Sequence, residues 1–127
     1  MAFYLELQKT TSTPYILVDE AKSYIRMEGK SFPEKAAEFY GEINTWLDTY
    51  LKTDFGNLTL DFAMDYYNSS TFKIIMDMML KMDEYSVGDN KIIINWIVEE
   101  DDDIAMESGE DIKEDIENLE FNIIVEE

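Results

Sequence analysis

The sequence predicts an α/β (α+β) domain with a mixed sheet of five to six strands and three helices, in the order β-β-β-α-β-α-β-α-β. The chain contains segments in which apolar and polar residues alternate, which is typical of strands. Between them lie segments whose apolar residues recur every three or four positions, which is typical of helices. Two β-prone runs near the N-terminus are separated by only Asp19 to Lys22, which favours a hairpin. No repeat, linker or change of composition divides residues 1–127, so we expect one domain.

The first half of the chain predicts three strands and a long helix. Residues 3–8 alternate in polarity and are typical of an edge strand, while residues 15–18 and 23–27 would form the hairpin. Ser31 and Glu34 have the spacing of a capping box, which predicts a helix that begins near Ser31. Apolar residues at three- and four-residue steps from Ala36 to Leu51 predict one amphipathic helix there.

The second half predicts alternating strands and helices. Residues 58–66 alternate strictly, which indicates a strand with one buried face, and the methionine-rich run Phe72–Met82 predicts a helix that fills the core. Lys91–Val98 is almost continuously apolar, as in a central strand covered on both faces. An acidic helix, Ile104–Glu117, and a last strand, Phe121–Val125, complete the prediction.

The composition argues against several classes of function. The chain has no cysteine and no histidine, so it lacks thiolate ligands, the commonest metal ligand and the usual general base. Its 10 Lys and Arg against 29 Asp and Glu give a net charge of −19, which should repel nucleic acids and anionic membranes. No apolar run approaches the ~18 residues of a membrane span. Residues 1–6 lack the features of a signal peptide, so we expect a cytoplasmic location.

The candidate site is the polar run at the junction between the fourth predicted strand and the methionine-rich helix. Free N–H groups and the positive end of the helix dipole would stabilise a phosphate on Ser69, Ser70 or Thr71, and Lys73 would add charge. A plainer interpretation makes Asn68 or Ser69 the helix N-cap. The two interpretations are compatible, because a capping hydroxyl lies near the donors that would receive its phosphate.

The acidic stretch after the fifth predicted strand does not match a calcium loop. An EF-hand that starts at Asp101 needs glycine at its sixth position and an acid at its twelfth, where Met106 and Ile112 stand. Acids in the first turn of a helix complement its dipole, so we expect an exposed, metal-free segment rather than a looser divalent site. It is also a candidate surface for a basic partner, formed by Glu99, Glu100, Asp101, Asp102, Asp103, Glu107, Glu110 and Asp111.

Several segments together resemble a known family. They are, in order, Thr13–Ile16, Gly29–Glu34, Tyr67–Lys73, Asn95–Trp96, Glu99–Asp103 and Gly109–Asp111. In this order and spacing, the chain from about Thr13 to Phe121 resembles the SiaC family of bacterial regulatory phosphoproteins. The family's pattern at its phosphorylation site is Asn-Thr-Ser-Ser, with threonine as the phosphoacceptor. Asn68 matches the asparagine of this pattern, and Ser69 takes the place of the acceptor threonine.

The resemblance implies a partner-switching protein without catalytic residues or cofactor. Members of the family are phosphorylated by a SiaB-type kinase and dephosphorylated by a PP2C-type phosphatase. This regulation resembles that of anti-sigma-factor antagonists with the STAS fold, in which a serine at a helix start is phosphorylated. Its unphosphorylated form activates a diguanylate cyclase, which implies such an enzyme as a candidate effector. Two alternatives from the residues alone are an acidic, carboxylate-based metal-dependent enzyme and a constitutive acidic binding module.

Overall fold

A computed structural model describes residues 2–127 of the chain. The strands are β1 (Tyr4–Leu7), β2 (Tyr15–Asp19), β3 (Tyr24–Ser31), β4 (Asn57–Tyr67), β5 (Lys91–Glu99) and β6 (Glu120–Glu126). The helices are α1 (Ala36–Phe39), α2 (Gly41–Tyr50), α3 (Ser69–Tyr85) and α4 (Asp103–Asp115), with a short 3-10 turn at Glu20–Lys22. The predicted mixed α/β architecture is confirmed.

The six strands form one sheet in which their spatial order equals their order along the chain, β1-β2-β3-β4-β5-β6. The pairs β1–β2 and β2–β3 are antiparallel, and the three pairs from β3 to β6 are parallel. Each parallel pair of strands is joined by a crossover connection that contains a helix. Because these crossovers have the same handedness and lead from each strand to its next neighbour in the sheet, their helices lie on the same side of the sheet. The predicted hairpin and edge strand are therefore β2–β3 and β1.

One face of the sheet carries the hydrophobic core. Inward-pointing residues of β2 to β6 are buried and form one cluster with the apolar faces of α2, α3 and α4. Met78, Met79 and Met82 lie in this core as predicted, and Trp46 and Trp96 are buried there as well, since each of these five residues is at most 9% exposed. Burial alternates strictly along β5, so the prediction that this strand is covered on both faces is wrong. No helix in residues 2–127 covers the opposite side, which we call the open face.

The predicted helix that begins near Ser31 is also wrong in its start and its continuity. Ser31 is the last residue of β3, and its hydroxyl is buried inside the protein rather than capping a helix. The helical segment starts at Ala36 and is interrupted at Tyr40, whose side chain is fully buried. The Tyr40 hydroxyl lies 2.7 Å from the Ser31 Oγ, so the Ser31 side chain is hydrogen-bonded in the interior instead of capping a helix.

Within the described residues, no helix is long and apolar enough to cross a membrane.

Candidate phosphorylation site and partner surface

Helix α3 begins at the predicted candidate site. Asn68 has extended backbone angles (φ −82°, ψ 175°), and its Oδ1 accepts the N–H of Thr71 at 2.9 Å. The backbone N–H of Asn68 donates to the Ser31 carbonyl at 3.0 Å, which ties the start of the helix to the end of β3. Asn68 is therefore the N-cap, and Ser69 is the first residue inside the helix. The alternative in which Ser69 is the cap does not hold.

The three candidate hydroxyls differ in accessibility. Ser69 and Ser70 are exposed, whereas Thr71 is fully buried. The Thr71 Oγ1 lies 2.9 Å from the Ser31 Oγ and donates to the Ser31 carbonyl oxygen at 3.3 Å. Burial raises the pKa of Tyr40, the third member of this cluster, to about 12, so its hydroxyl stays protonated. A kinase could reach Ser69 or Ser70 on the folded protein, but would have to open the start of α3 to reach Thr71.

The electrostatic surroundings of the helix start are mixed. Lys73 is exposed one turn after Ser69. On the same carboxyl edge of the sheet, Lys30 lines an open cleft of about 470 Å³ together with Asp65, Glu99, Asp101 and Asp102. The structure thus brings the candidate phosphorylation site and the first part of the acidic segment to one edge, because α3 follows β4 and α4 follows β5.

The acidic segment has a structural role at one position. The Asp102 Oδ1 caps α4 by accepting the N–H of Ala105 at 3.0 Å, and Asp103 lies in the first turn. The other predicted surface residues are exposed: Glu99, Glu100, Asp101, Asp103, Glu107, Glu110 and Asp111. Across residues 2–127, no three acidic side chains are grouped so that they could hold a metal ion.

A bulge next to the site changes which side chains face outward. Gly29 pairs with Met64 but Lys30 pairs with Tyr66, so Asp65 is an extra residue in β4. Gly29 has a φ of 107°, a conformation that favours glycine. Beyond the bulge, Tyr66 points to the open face beside Lys30. Tyr67 turns inward and packs edge-to-face on Trp96 at 6.2 Å.

The bulge also creates an exposed aromatic pair that sequence reasoning did not find. Phe32 and Tyr66 are 39% and 51% exposed, and their ring centroids lie 5.9 Å apart in an edge-to-face arrangement. Phe32 follows Ser31, whose carbonyl accepts the Asn68 N–H, so the pair borders the start of α3. A local signal for it in the sequence is Gly29, which has a positive φ and lies next to the register shift in the facing strand.

A second feature missed from the sequence is a carboxylate clamp near the end of α3. Asp83 is 8% exposed and accepts the backbone N–H groups of Glu117, Asn118 and Leu119 at 3.1, 2.7 and 2.9 Å. Burial opposes ionisation of Asp83, but these three donors hold its pKa below the ordinary value of 3.8. The clamp joins α3 to the loop before β6 and is structural.

The fold and the site define a class: small mixed α/β domains that present an exposed serine at a helix start beside an acidic edge. The chain belongs to the SiaC family of regulatory phosphoproteins, which it matches over residues 7–126. It is 29% identical over 111 residues to an uncharacterised protein of Pseudomonas aeruginosa (strain UCBPP-PA14), a match that covers 87% of this chain and 88% of the relative.

The solved structures of similar proteins agree with this assignment. SiaC of Pseudomonas aeruginosa superposes with a TM-score of 0.87 at 27% identity, over 98% of this chain and 99% of the other. The crystal structure of the diguanylate cyclase SiaD in complex with its activator SiaC, from the same organism, contains a match with a TM-score of 0.89 at 28% identity, over 96% and 99% of the two chains. The resemblance to the SiaC family is therefore confirmed for nearly the whole chain.

Proposed function

We propose that this protein is a non-enzymatic, cytoplasmic regulatory phosphoprotein that binds an effector when Ser69 is unphosphorylated and releases it when Ser69 carries a phosphate. The observation that carries the proposal is the position of Ser69, which is exposed at the first residue of α3 while Asn68 does the capping. The Ser69 hydroxyl is thus free of the cap, and a kinase can reach it. The fully buried Thr71 lacks this accessibility.

A phosphate on Ser69 should leave the fold intact. It adds about −1.5 to −2 charges and three acceptor oxygens. At a helix N-terminus these meet free N–H groups and the helix dipole, an interaction of typically ~0.3–1 kcal/mol. A partner that buries the same position would have to desolvate an unmatched double charge, at a cost of several kcal/mol. Phosphorylation should therefore change binding strongly and folding weakly.

The proposed partners follow from the family. We propose a SiaB-type kinase and a PP2C-type phosphatase as the enzymes that add and remove the phosphate, and a diguanylate cyclase as the effector. The complex of SiaD with its activator SiaC supports the effector and the non-enzymatic role. The exposed acidic residues from Glu99 to Asp111 are proposed as a surface for basic regions of these partners.

The test is co-expression of the protein with the SiaB-type kinase of its host, followed by intact mass and phosphosite mapping. We expect one added phosphate on Ser69, its loss in Ser69→Ala, and its retention in the control Ser70→Ala. The purified phosphorylated and unphosphorylated forms are then titrated against the host's diguanylate cyclase, and only the unphosphorylated form should bind. Phosphate found only outside Asn68–Lys73 would refute the switch, and its complete absence would favour a constitutive acidic binding module.

A further inference from the structure

The last strand, β6, forms one edge of the sheet, and a single hydrogen bond shows which of its backbone groups point away from the sheet. The Glu126 carbonyl accepts the N–H of Glu100 at 3.1 Å, so Glu126 bonds toward β5. Alternate residues of a strand bond to the same neighbouring strand. The even-numbered residues of β6 therefore bond to β5. The residues whose N–H and C=O groups point outward are Phe121, Ile123 and Val125.

Two further contacts support this alternation and define where the free edge begins. The N–H of Lys91 donates to the Gly56 carbonyl, on the β4 side of β5, at 2.7 Å, as the alternation requires. At the start of β6, the outward N–H of Leu119 donates to the Asp83 Oδ1 at 2.9 Å. Beyond Leu119, no strand in residues 2–127 pairs with the outward side of β6. Unpaired N–H and C=O groups along an edge bind an extended chain as an additional strand.

The opposite edge of the sheet offers fewer such groups. Strand β1 has four residues, whereas β6 has seven. The N–H of Glu20 donates to the Phe3 carbonyl at 3.0 Å, so alternation leaves only Tyr4 and Glu6 of β1 with outward backbone groups. The edge formed by β6 is therefore the better site for strand addition.

Strand β6 also carries apolar side chains that the helical layer leaves uncovered. Phe121, Ile123 and Val125 lie on the helix side of the strand, but Phe121 is 5% exposed and Val125 is 46% exposed. Ile123 packs against the core and is partly exposed. Because side chains on adjacent strands pack against each other on the same face, an added strand would cover Ile123 and Val125. The edge thus combines backbone pairing with an apolar contact surface.

The charges around β6 select the kind of segment that can pair with it. Glu120 and Glu126 are exposed at the two ends of the strand, and residues 98–127 contain 14 acids and one base. Antiparallel pairing with a second copy, centred on Ile123, would place Glu120 opposite Glu126 at both ends. Like charges in directly opposite positions are destabilising. A segment with Lys or Arg at these positions would instead be attracted.

We infer that the edge of β6 binds an extended, basic segment of a partner protein as a seventh strand. The backbone of the segment pairs with the outward groups of Phe121, Ile123 and Val125, and its Lys or Arg side chains meet the glutamates at the two ends. Strand β6 is two positions from β4, the strand that leads to Ser69. This binding site is therefore separate from the phosphorylation site and goes beyond the proposed function.

The test is hydrogen exchange of the ¹⁵N-labelled full chain with the capped peptide Lys-Thr-Val-Thr-Val-Thr-Lys. The peptide should slow exchange of the outward amides of Phe121, Ile123 and Val125 by at least about tenfold. The amides of Asn122 and Ile124 already bond to β5 and should change little. A control peptide with N-methylated central residues keeps the side chains but cannot donate backbone hydrogen bonds, and it should not bind. Equal binding of the two peptides, or no slowing at the three outward amides, would overturn the inference.

Variants at β6 separate backbone pairing from charge. Val125→Pro removes an outward N–H without removing a bond to β5, and it should weaken peptide binding by at least about tenfold. Val125→Thr is the matched control, because it keeps this N–H and should bind nearly as well as the wild type. Glu120→Lys/Glu126→Lys changes two exposed residues and should reverse the preference, so that a peptide flanked by glutamates binds better than the one flanked by lysines. Wild-type binding by both folded variants, Val125→Pro and the charge-reversed protein, would refute the site.

Two further measurements test the partner and the separation from the phosphorylation site. The forms with and without phosphate on Ser69 should bind the lysine-flanked peptide equally, and a difference of about tenfold or more would contradict a separate site. In sedimentation experiments the wild-type chain should show no dimer that depends on β6. A dimer that Val125→Pro abolishes would assign the edge to a second copy of the chain and overturn the basic partner.

Discussion

Replacement of Gly109 by alanine should push α4 away from the sheet. A Cβ at this position would lie 2.5 Å from Cδ1 and 2.7 Å from Nε1 of Trp96. Ordinary contacts are about 3.5–4.0 Å, so an overlap of about 1 Å must be relieved. Trp96 has little room to move, because it is 1% exposed, stacks on Phe62 at 4.5 Å and donates its indole N–H to the Ala105 carbonyl at 2.8 Å. Therefore α4, rather than Trp96, must move.

The cost can be worked out from these contacts. Overpacking of a core costs typically about 1–3 kcal/mol. A withdrawal of α4 by about 1 Å would also break the indole hydrogen bond, for a further ~0.5–1.5 kcal/mol. Replacement of glycine by alanine within a helix stabilises the helix by up to about 1 kcal/mol, which partly offsets these costs. We expect Gly109→Ala to lower the free energy of unfolding by about 2 kcal/mol, or roughly 8 °C in Tm.

Urea unfolding followed by circular dichroism measures this effect, and the fluorescence of Trp46 and Trp96 together is a second probe. Gly41→Ala is the matched control, because Gly41 is also helical but its added Cβ meets no atom within 4 Å. The control should be as stable as the wild type or slightly more stable. A Gly109→Ala protein with wild-type stability and unchanged fluorescence would show that the packing of α4 on Trp96 is looser than described.

Three further predictions concern the helix start and the carboxylate clamp. Asn68→Ala should lower the free energy of unfolding in urea by about 1 kcal/mol, because it removes the helix cap. Ser69→Ala should change the free energy of unfolding by less than ~0.5 kcal/mol. A larger effect of Ser69→Ala than of Asn68→Ala would assign the cap to Ser69. Thr71→Val should cost about 1 kcal/mol by removing a buried hydrogen bond to Ser31, and an unchanged melting curve would argue against that bond. Asp83→Asn should destabilise the protein by about 1–3 kcal/mol at pH 7. Because folding lowers the pKa of Asp83, its contribution is complete above the ordinary value of 3.8 and is lost as the pH falls through the folded value. The difference between wild type and Asp83→Asn should therefore narrow in acid, and a difference that does not change with pH would contradict the clamp.

The parts of the fold that were predictable from the sequence depend on local periodicity. The strict alternation along residues 58–66 identified β4, and the helix that starts beside Asn68 followed from the polar junction and the apolar spacing after it. The place of Ser69 at the start of that helix was also predicted, and the residue is exposed there. Each of these signals lies within a few residues of the feature that it predicts.

The features that were missed depend on contacts between distant segments. The Ser31 hydroxyl bonds to Thr71, 40 residues away, so the local capping-box spacing of Ser31 and Glu34 was misleading. The apolar run of β5 predicted two covered faces because periodicity reports which residues are apolar but not what covers them. Asp83 resembles an ordinary surface acid in the sequence, and its role depends on a loop 34–36 residues later.

The agreement between strand order in space and order along the chain has a consequence for folding during synthesis. Each strand from β2 to β6 pairs with the strand that precedes it in the sequence. Each strand can therefore pair as soon as it is synthesised, because its partner strand is already present. Pairing between neighbours in sequence lowers the entropy lost in closing loops and favours fast folding. The final step would be addition of β6, which brings the loop of Glu117 to Leu119 onto the Asp83 carboxylate. A ribosome-bound chain that ends before β6 should thus already contain a five-stranded sheet, with β5 as its temporary edge.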